Sequence, residues 1–211
     1  MTAIFFDLDG TLVDPKTGIT RSIQYALHKL GLPSPSADEL TWCIGPPLLG
    51  SLKKLLGSDK LADLALSLYR ERFADVGIFE NTTYPGIEDA LSALAQRGHR
   101  LFVATSKPHV YARRIVDHLK MAPYLDHVFG SELDGVRADK TELLAYALET
   151  TRVVRSQATM IGDRGHDMIG ARRNAMTAIG VLYGYGSEEE LVGAGAQRIC
   201  ATPQNLINFA V

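Results

Sequence analysis

The sequence predicts an α/β protein, a doubly wound parallel-sheet core with an inserted α-helical domain. Three observations predict it. Short apolar runs at residues 4–8, 101–104 and 158–161 have the length of buried strands, and each stops at polar residues. From Tyr84-Pro85-Gly86 onward, strand and helix patterns alternate, as they do in βαβ units. Residues 15–84 show helical spacing and no convincing strand, so they interrupt that alternation after the first strand. The predicted division is a Rossmann-like core made of residues 1–14 and 85–211, with a helical insertion at 15–84. No internal repeat or low-complexity segment breaks this pattern.

The elements follow in order. Ile4, Phe5, Phe6 and Leu8 form the first strand, and Gly10 breaks it. Residues 15–18 read as a loop. Ile19, Ile23, Ala26, Leu27 and Leu30 then share one helical face, which Gly31 ends. Ser36 caps a short helix expected over 38–44, and Gly45-Pro46-Pro47 forces a break. Leu48, Leu49, Leu52, Leu55 and Leu56 give a helix that stops at Gly57. Ser58 caps a longer one carrying Leu61, Leu64, Ala65, Leu68 and Phe73, closed by Gly77. In the alternating half, Ile87, Ala90, Leu91 and Leu94 mark a helix. The strand at 101–104 ends at Thr105-Ser106-Lys107, and Pro108 opens the next helix. A short strand at Val128-Phe129 precedes a helix that starts at Lys140. The strand at 158–161 ends at Gly162-Asp163, with a helix over 167–174 and a strand over 178–182 after it. Ser187 and Glu190 have the spacing of a capping box, and Pro203 opens a last short helix.

A chain of 211 residues has the length of one or two domains and can bury a substantial core. A net charge of −2 gives no electrostatic case for a nucleic-acid polymer or an anionic membrane. No apolar run reaches the roughly 18 residues of a transmembrane helix. Met1-Thr2-Ala3 lacks the basic residues of a signal peptide, so the expected location is cytoplasmic. Cys43 and Cys200 have no metal-ligand spacing and read as buried thiols in a reducing compartment. Oligomeric state is not legible.

The chemistry concentrates in Phe5-Phe6-Asp7-Leu8-Asp9-Gly10-Thr11-Leu12-Val13-Asp14. Asp7 and Asp9 fall at the carboxyl end of a strand, the end at which open α/β sheets bind ligands. Strand alternation is expected to point both carboxylates to the same side. Turn chemistry explains Asp9-Gly10 but not a carboxylate at Asp7, inside the apolar run. Adjacent carboxylates repel, so one holds a proton or a cation holds both.

This stretch resembles the first motif of the haloacid dehalogenase-like (HAD) hydrolases, specifically their phosphatases. The resemblance implies that Asp7 is the nucleophile and Asp9 the general acid/base, with Gly10 at the substrate. Thr105 resembles the second motif, which puts a hydroxyl and backbone N–H groups on phosphoryl oxygens. Ser106 stands where the family often has Asn. Lys140 resembles the third motif, a cation neutralising Asp7, although many relatives have Lys-Pro where this chain has Lys140-Thr141; Arg137 and Lys107 are rival cations. Gly162-Asp163-Arg164-Gly165-His166-Asp167 resembles the fourth, Gly-Asp-x-x-x-Asp.

The implied cofactor is Mg²⁺, held by the Asp7 side chain, the Asp9 carbonyl and Asp163, with Asp167 direct or through water. His166 reads as a helix-start residue and not a ligand. The insertion resembles the family's helical cap, and residues 45–48, 80–86 and 137–140 resemble those of phosphoglycolate phosphatases and, more closely, a bacterial 5′-nucleotidase branch. Gly45-Pro46-Pro47 fits a rigid break or a substrate loop equally. The expected activity is hydrolysis of a small phosphorylated metabolite, with nucleoside monophosphates first and phosphoglycolate as the alternative. A β-phosphoglucomutase-type transferase and a non-catalytic binding protein are the rivals. Trp42, beside Gly45-Pro46-Pro47, is the expected surface for a base, whereas Tyr69 and Phe73 are expected to pack in the helical core.

Overall fold

The computed structural model describes residues 2–209. Its centre is a six-stranded, all-parallel sheet of β1 (Ala3–Phe6), β4 (Arg100–Pro108), β5 (His127–Ser131), β6 (Ala158–Gly162), β7 (Thr177–Val181) and β8 (Arg198–Cys200). The order is β5-β4-β1-β6-β7-β8. The chain runs outward from β1 through β4 to β5, then crosses to β6 on the other side of β1. That reversal opens a crevice at the carboxyl ends of β1, β4 and β6.

Strand β1 explains why its sequence is continuously apolar. Ile4 and Phe6 join one buried cluster with Leu101 and Val103, while Ala3 and Phe5 join the other with Phe102 and Ala104. Both faces are covered, so both sets of alternating side chains must be apolar. Helices α4 (Ile87–Gln96) and α5 (His109–His118) bury their apolar faces in the first cluster. Helices α6 (Lys140–Thr151), α7 (Gly165–Arg173) and α8 (Glu188–Ala194) contribute to the second.

Past β1 the chain forms a two-residue strand β2 (Val13–Asp14) and then helices α1 (Lys16–Lys29), α2 (Leu48–Leu56) and α3 (Asp59–Asp75). It returns through β3 (Thr82–Thr83), which pairs antiparallel with β2. The insertion therefore hangs from a narrow ribbon. A strand within 15–84 was not expected; two residues are too few to show a period of two.

Other boundaries also moved. Helix α1 starts at Lys16 because the Asp14 carboxylate accepts the Lys16 N–H at 3.0 Å. The helix expected over 38–44 is only a turn and a 3₁₀ segment, Thr41–Cys43. Ser36 and Glu39 do cap each other, but Gly45-Pro46-Pro47 follows too soon for a helix to grow. Ser187 accepts the Glu190 N–H, yet the Glu190 carboxylate turns away to the Gly165 N–H and Arg164. Strand β8 and helix α9 (Leu206–Phe209) are the last elements among the described residues.

Candidate active site

Three strand ends deliver the predicted residues to one place. Asp7 follows β1, Asp163 follows β6, and Asp167 lies in the first turn of α7. All three are buried, and carboxylate oxygens of the three lie within 4.8 Å of one another. Lys140, the first residue of α6, donates from Nζ to Asp7 Oδ1 at 2.9 Å and to the Ala104 carbonyl at 2.8 Å. The same nitrogen lies 2.8 Å from Asp167 Oδ1. Two hydrogen bonds and one further ion pair thus surround this ammonium. Arg137, a rival cation by sequence, pairs with Glu132 instead.

Asp163 is fixed by its surroundings. Its Oδ2 accepts the Tyr185 N–H at 2.8 Å, and its Oδ1 accepts from the Thr11 hydroxyl at 3.4 Å. Gly10 has φ +84°, and a Cβ there would lie 2.1 Å from Asp163 Oδ2. The backbone of residues 184–186 presses from the other side, since a Cβ on Gly184 would meet Asp163 Cβ at 2.4 Å. The reading from sequence missed this wrap; the paired glycines of Gly184-Tyr185-Gly186 were its available signal.

Electrostatics in the cluster are unbalanced. Burial, followed by the charges of Asp167 and Asp9, pushes the Asp7 carboxyl up to about 7 against the opposing pull of Lys140. Burial pushes Asp163 well above the carboxylate range, and Asp7 and Asp167 add to it. Asp167 is also buried, but Lys140 and then His166 outweigh that and hold it low. For Lys140, burial is overcome by Asp167 and Asp7, which hold its ammonium above the ordinary lysine value.

Asp9 lies past the end of β1, which stops at Phe6, so strand alternation does not govern its side chain. Its Oδ2 lies 2.7 Å from Lys107 Nζ, while Asp7 pairs with Lys140. Asp9, Ser106 and Lys107 line a cavity between the sheet ends and the inserted helices. Thr105 is buried beside them, and its Oγ1 accepts the Lys107 N–H at 3.2 Å. Trp42 does not line this cavity. Its ring packs under Lys54 Nζ at 4.8 Å, and the residues after it, Cys43 and Gly45, reach the wall instead. Tyr69 and Phe73 are buried as expected, yet they form part of the same wall with Tyr111. Helical periodicity marks a buried face without telling a core from a cavity lining. His166 stays outside the acidic trio, its Nε2 3.7 Å from Asp167 Oδ1.

The fold and this site define a doubly wound α/β protein with a carboxylate-rich crevice at the carboxyl ends of its parallel strands. Residues 4–181 match the family described as haloacid dehalogenase-like hydrolase, and the chain belongs to that family. It is similar to a 5′-nucleotidase of Pseudomonas aeruginosa, 47% identical over 199 residues, covering 94% of this chain and 90% of the relative. It is also similar to a phosphoglycolate phosphatase of Aquifex aeolicus, 30% identical over 186 residues, covering 88% and 86%. A crystal structure described as a predicted phosphatase from Clostridium acetobutylicum superposes with a TM-score of 0.95 at 42% identity, covering 98% of this chain and 96% of that one. The parallel-sheet fold and the enzyme class expected from sequence are thereby met. Among the described residues no helix is long and apolar enough to cross a membrane.

Proposed function

We propose that this chain is a Mg²⁺-dependent phosphomonoesterase that hydrolyses nucleoside 5′-monophosphates through an aspartyl-phosphate. The observation that carries the reading is the pairing of Asp7 with Lys140 beside two further buried carboxylates, next to a second carboxylate, Asp9, that faces the cavity. In this reading residues 15–84 are a lid and residues 1–14 and 85–211 the catalytic core.

The donor set suits a hard divalent cation. Among the described residues, the four buried carboxylates Asp7, Asp9, Asp163 and Asp167 touch two ammonium groups, those of Lys107 and Lys140. Burial holds His166 below its ordinary range, so it adds no charge at neutral pH. The deficit is two positive charges, which one Mg²⁺ supplies through oxygen ligands. Asp7, Asp163 and Asp167 would hold it, with the Asp9 carbonyl. Bound there, it would neutralise the phosphoryl oxygens and the developing charge.

The chain's own groups do the rest. A carboxylate oxygen of Asp7 forms a bond to phosphorus as the ester P–O bond breaks. Asp9 gives a proton to the departing oxygen and later takes one from the water that attacks the aspartyl-phosphate, releasing phosphate and restoring Asp7. Lys140 holds Asp7 in place and offsets its charge. The Thr105 hydroxyl and Ser106 serve the phosphoryl oxygens, and Gly10, lacking a Cβ, leaves room beside them for the Asp163 carboxylate.

The substrate choice rests on the cavity. Tyr69 and Phe73 stack at 5.1 Å, and Tyr111 meets Phe73 edge-on at 5.6 Å, giving an aromatic wall suited to a base. Among the described residues two cations line the cavity, Lys107, which pairs with Asp9, and Arg70, which gives one N–H to the Leu133 carbonyl. The aromatic wall offers a base a contact that the small glycolate group cannot make. Nucleoside monophosphates should therefore show a higher kcat/KM than phosphoglycolate. The preference should fall about tenfold in Tyr111→Leu, the scale of one stacking contact, and should survive in Trp42→Ala. A clear advantage for phosphoglycolate would overturn the substrate and leave the phosphatase reading standing.

A further inference from the structure

We infer that Lys107 is a positioning residue that ties the proton-transfer carboxylate of Asp9 to the closed helical lid. The inference rests on the reading of Asp9 as acid/base and goes beyond it.

It starts from a backbone irregularity. Strands β4 and β5 pair in register up to Thr105↔Gly130, and the next pair is Pro108↔Ser131. Two extra residues of β4, Ser106 and Lys107, bulge from the ladder, and bulges redirect side chains. The bulge is held from three sides. Thr105 Oγ1 takes the Lys107 N–H, the Ser131 hydroxyl donates to the Ser106 carbonyl at 2.9 Å, and a Cβ on Gly130 would lie 2.6 Å from the Lys107 carbonyl. Lys107 is thus aimed off the sheet end and into the cavity.

There its ammonium has two neighbours. One is Asp9 Oδ2 at 2.7 Å, with the Lys107 side chain only 6% exposed. The other is the ring of Phe73, on inserted helix α3, 4.6 Å from Nζ. An ammonium over an aromatic face is attracted by the ring quadrupole, more strongly when desolvated. Lys107 therefore bridges a core carboxylate and a lid ring. Asp9 Oδ1, by contrast, is buried with no hydrogen-bond partner among the described residues. One oxygen is ion-paired, and the other is buried and unpaired. A group that must deliver a proton to a leaving oxygen needs a carboxyl plane fixed on one side and an oxygen with no protein partner on the other. Phe73 completes the holder only when the lid lies over the crevice, so proton transfer is positioned when water is excluded.

The test compares p-nitrophenyl phosphate, whose leaving group needs little protonation, with a nucleoside monophosphate, whose leaving group needs much. Asp9→Ala is the reference and should lose more on the nucleotide. Lys107→Gln should lower kcat on the nucleotide about tenfold or more, a part of the full acid–base effect, with a much smaller loss on p-nitrophenyl phosphate and little change in KM. Lys107→Arg should recover part of the discrimination. Phe73→Leu keeps the site charged but also alters the wall proposed for the base, so it is read in kcat at saturating substrate, where it should show the same selective loss on a smaller scale, less than additive with Lys107→Gln. Equal kcat losses on both substrates in Lys107→Gln and Phe73→Leu, or a Lys107→Gln effect confined to KM, overturn the inference while Asp9→Ala still discriminates. Should Asp9→Ala treat both substrates alike, the acid/base reading falls and the inference with it.

Discussion

Withdrawing the divalent cation should make this protein less stable as pH rises, and the structure gives the sign. Asp7 is raised from 3.8 to about 7 by burial and neighbouring carboxylates, and Asp163 is also raised well above the ordinary carboxylate value, chiefly by burial. A raised carboxylate means that the folded chain keeps protons the unfolded chain releases. Its contribution is fully present below the unfolded value and is lost as pH climbs from about 4 toward 7. At ~1.4 kcal/mol per unit, the Asp7 shift alone corresponds to a few kcal/mol by neutral pH. For a chain of this length that is on the order of 10 °C in Tm. Mg²⁺ neutralises the same carboxylates, so the Tm gained on adding it should be small near pH 5 and large near pH 8. Thermal unfolding followed by circular dichroism, with chelator or with Mg²⁺ across that range, measures it. The variant Asp163→Asn removes one negative charge from the cluster. It should raise the metal-free Tm at pH 8 and abolish most of the Mg²⁺ response. A Mg²⁺ response that does not change with pH, or a metal-free Asp163→Asn that melts lower than the parent at pH 8, would refute the charge deficit inferred from the buried side chains.

Two further outcomes test the site. Asp7→Asn keeps the shape of the side chain but is a far weaker nucleophile, so phosphatase turnover should fall to a trace while the circular dichroism spectrum is unchanged; retained turnover removes Asp7 from the role. Gly10→Ala puts a methyl 2.1 Å from Asp163 Oδ2 at a φ of +84°, so it should displace Asp163 and weaken Mg²⁺ binding at least tenfold by calorimetry; unchanged affinity would show that Asp163 is free to move.

Several parts were legible in the residues alone. An apolar run with carboxylates at its end, repeated at 158–163, can only be satisfied by a buried parallel strand opening on a polar crevice. That dictated β1, β6 and the meeting of Asp7 with Asp163 and Asp167, because strand and helix periods are local properties of the sequence. The Ser58 cap and the leucine face of α2 were equally local. What local pattern could not decide was the partner of each charge. Lys107 and Lys140 both follow strand-end or loop signals, and only the register shift of β4 sends one to Asp9 while the start of α6 sends the other to Asp7. Trp42 was expected beside the substrate and instead packs under Lys54, while Tyr69 and Phe73 are buried as expected and line the cavity as well. Periodicity shows that a face is covered, but the tertiary arrangement decides whether a helix, a lysine or a cavity covers it. The wrap of residues 184–186 around Asp163 joins positions more than twenty residues apart, and such contacts are set by how the strands stack side by side, not by any spacing along the chain.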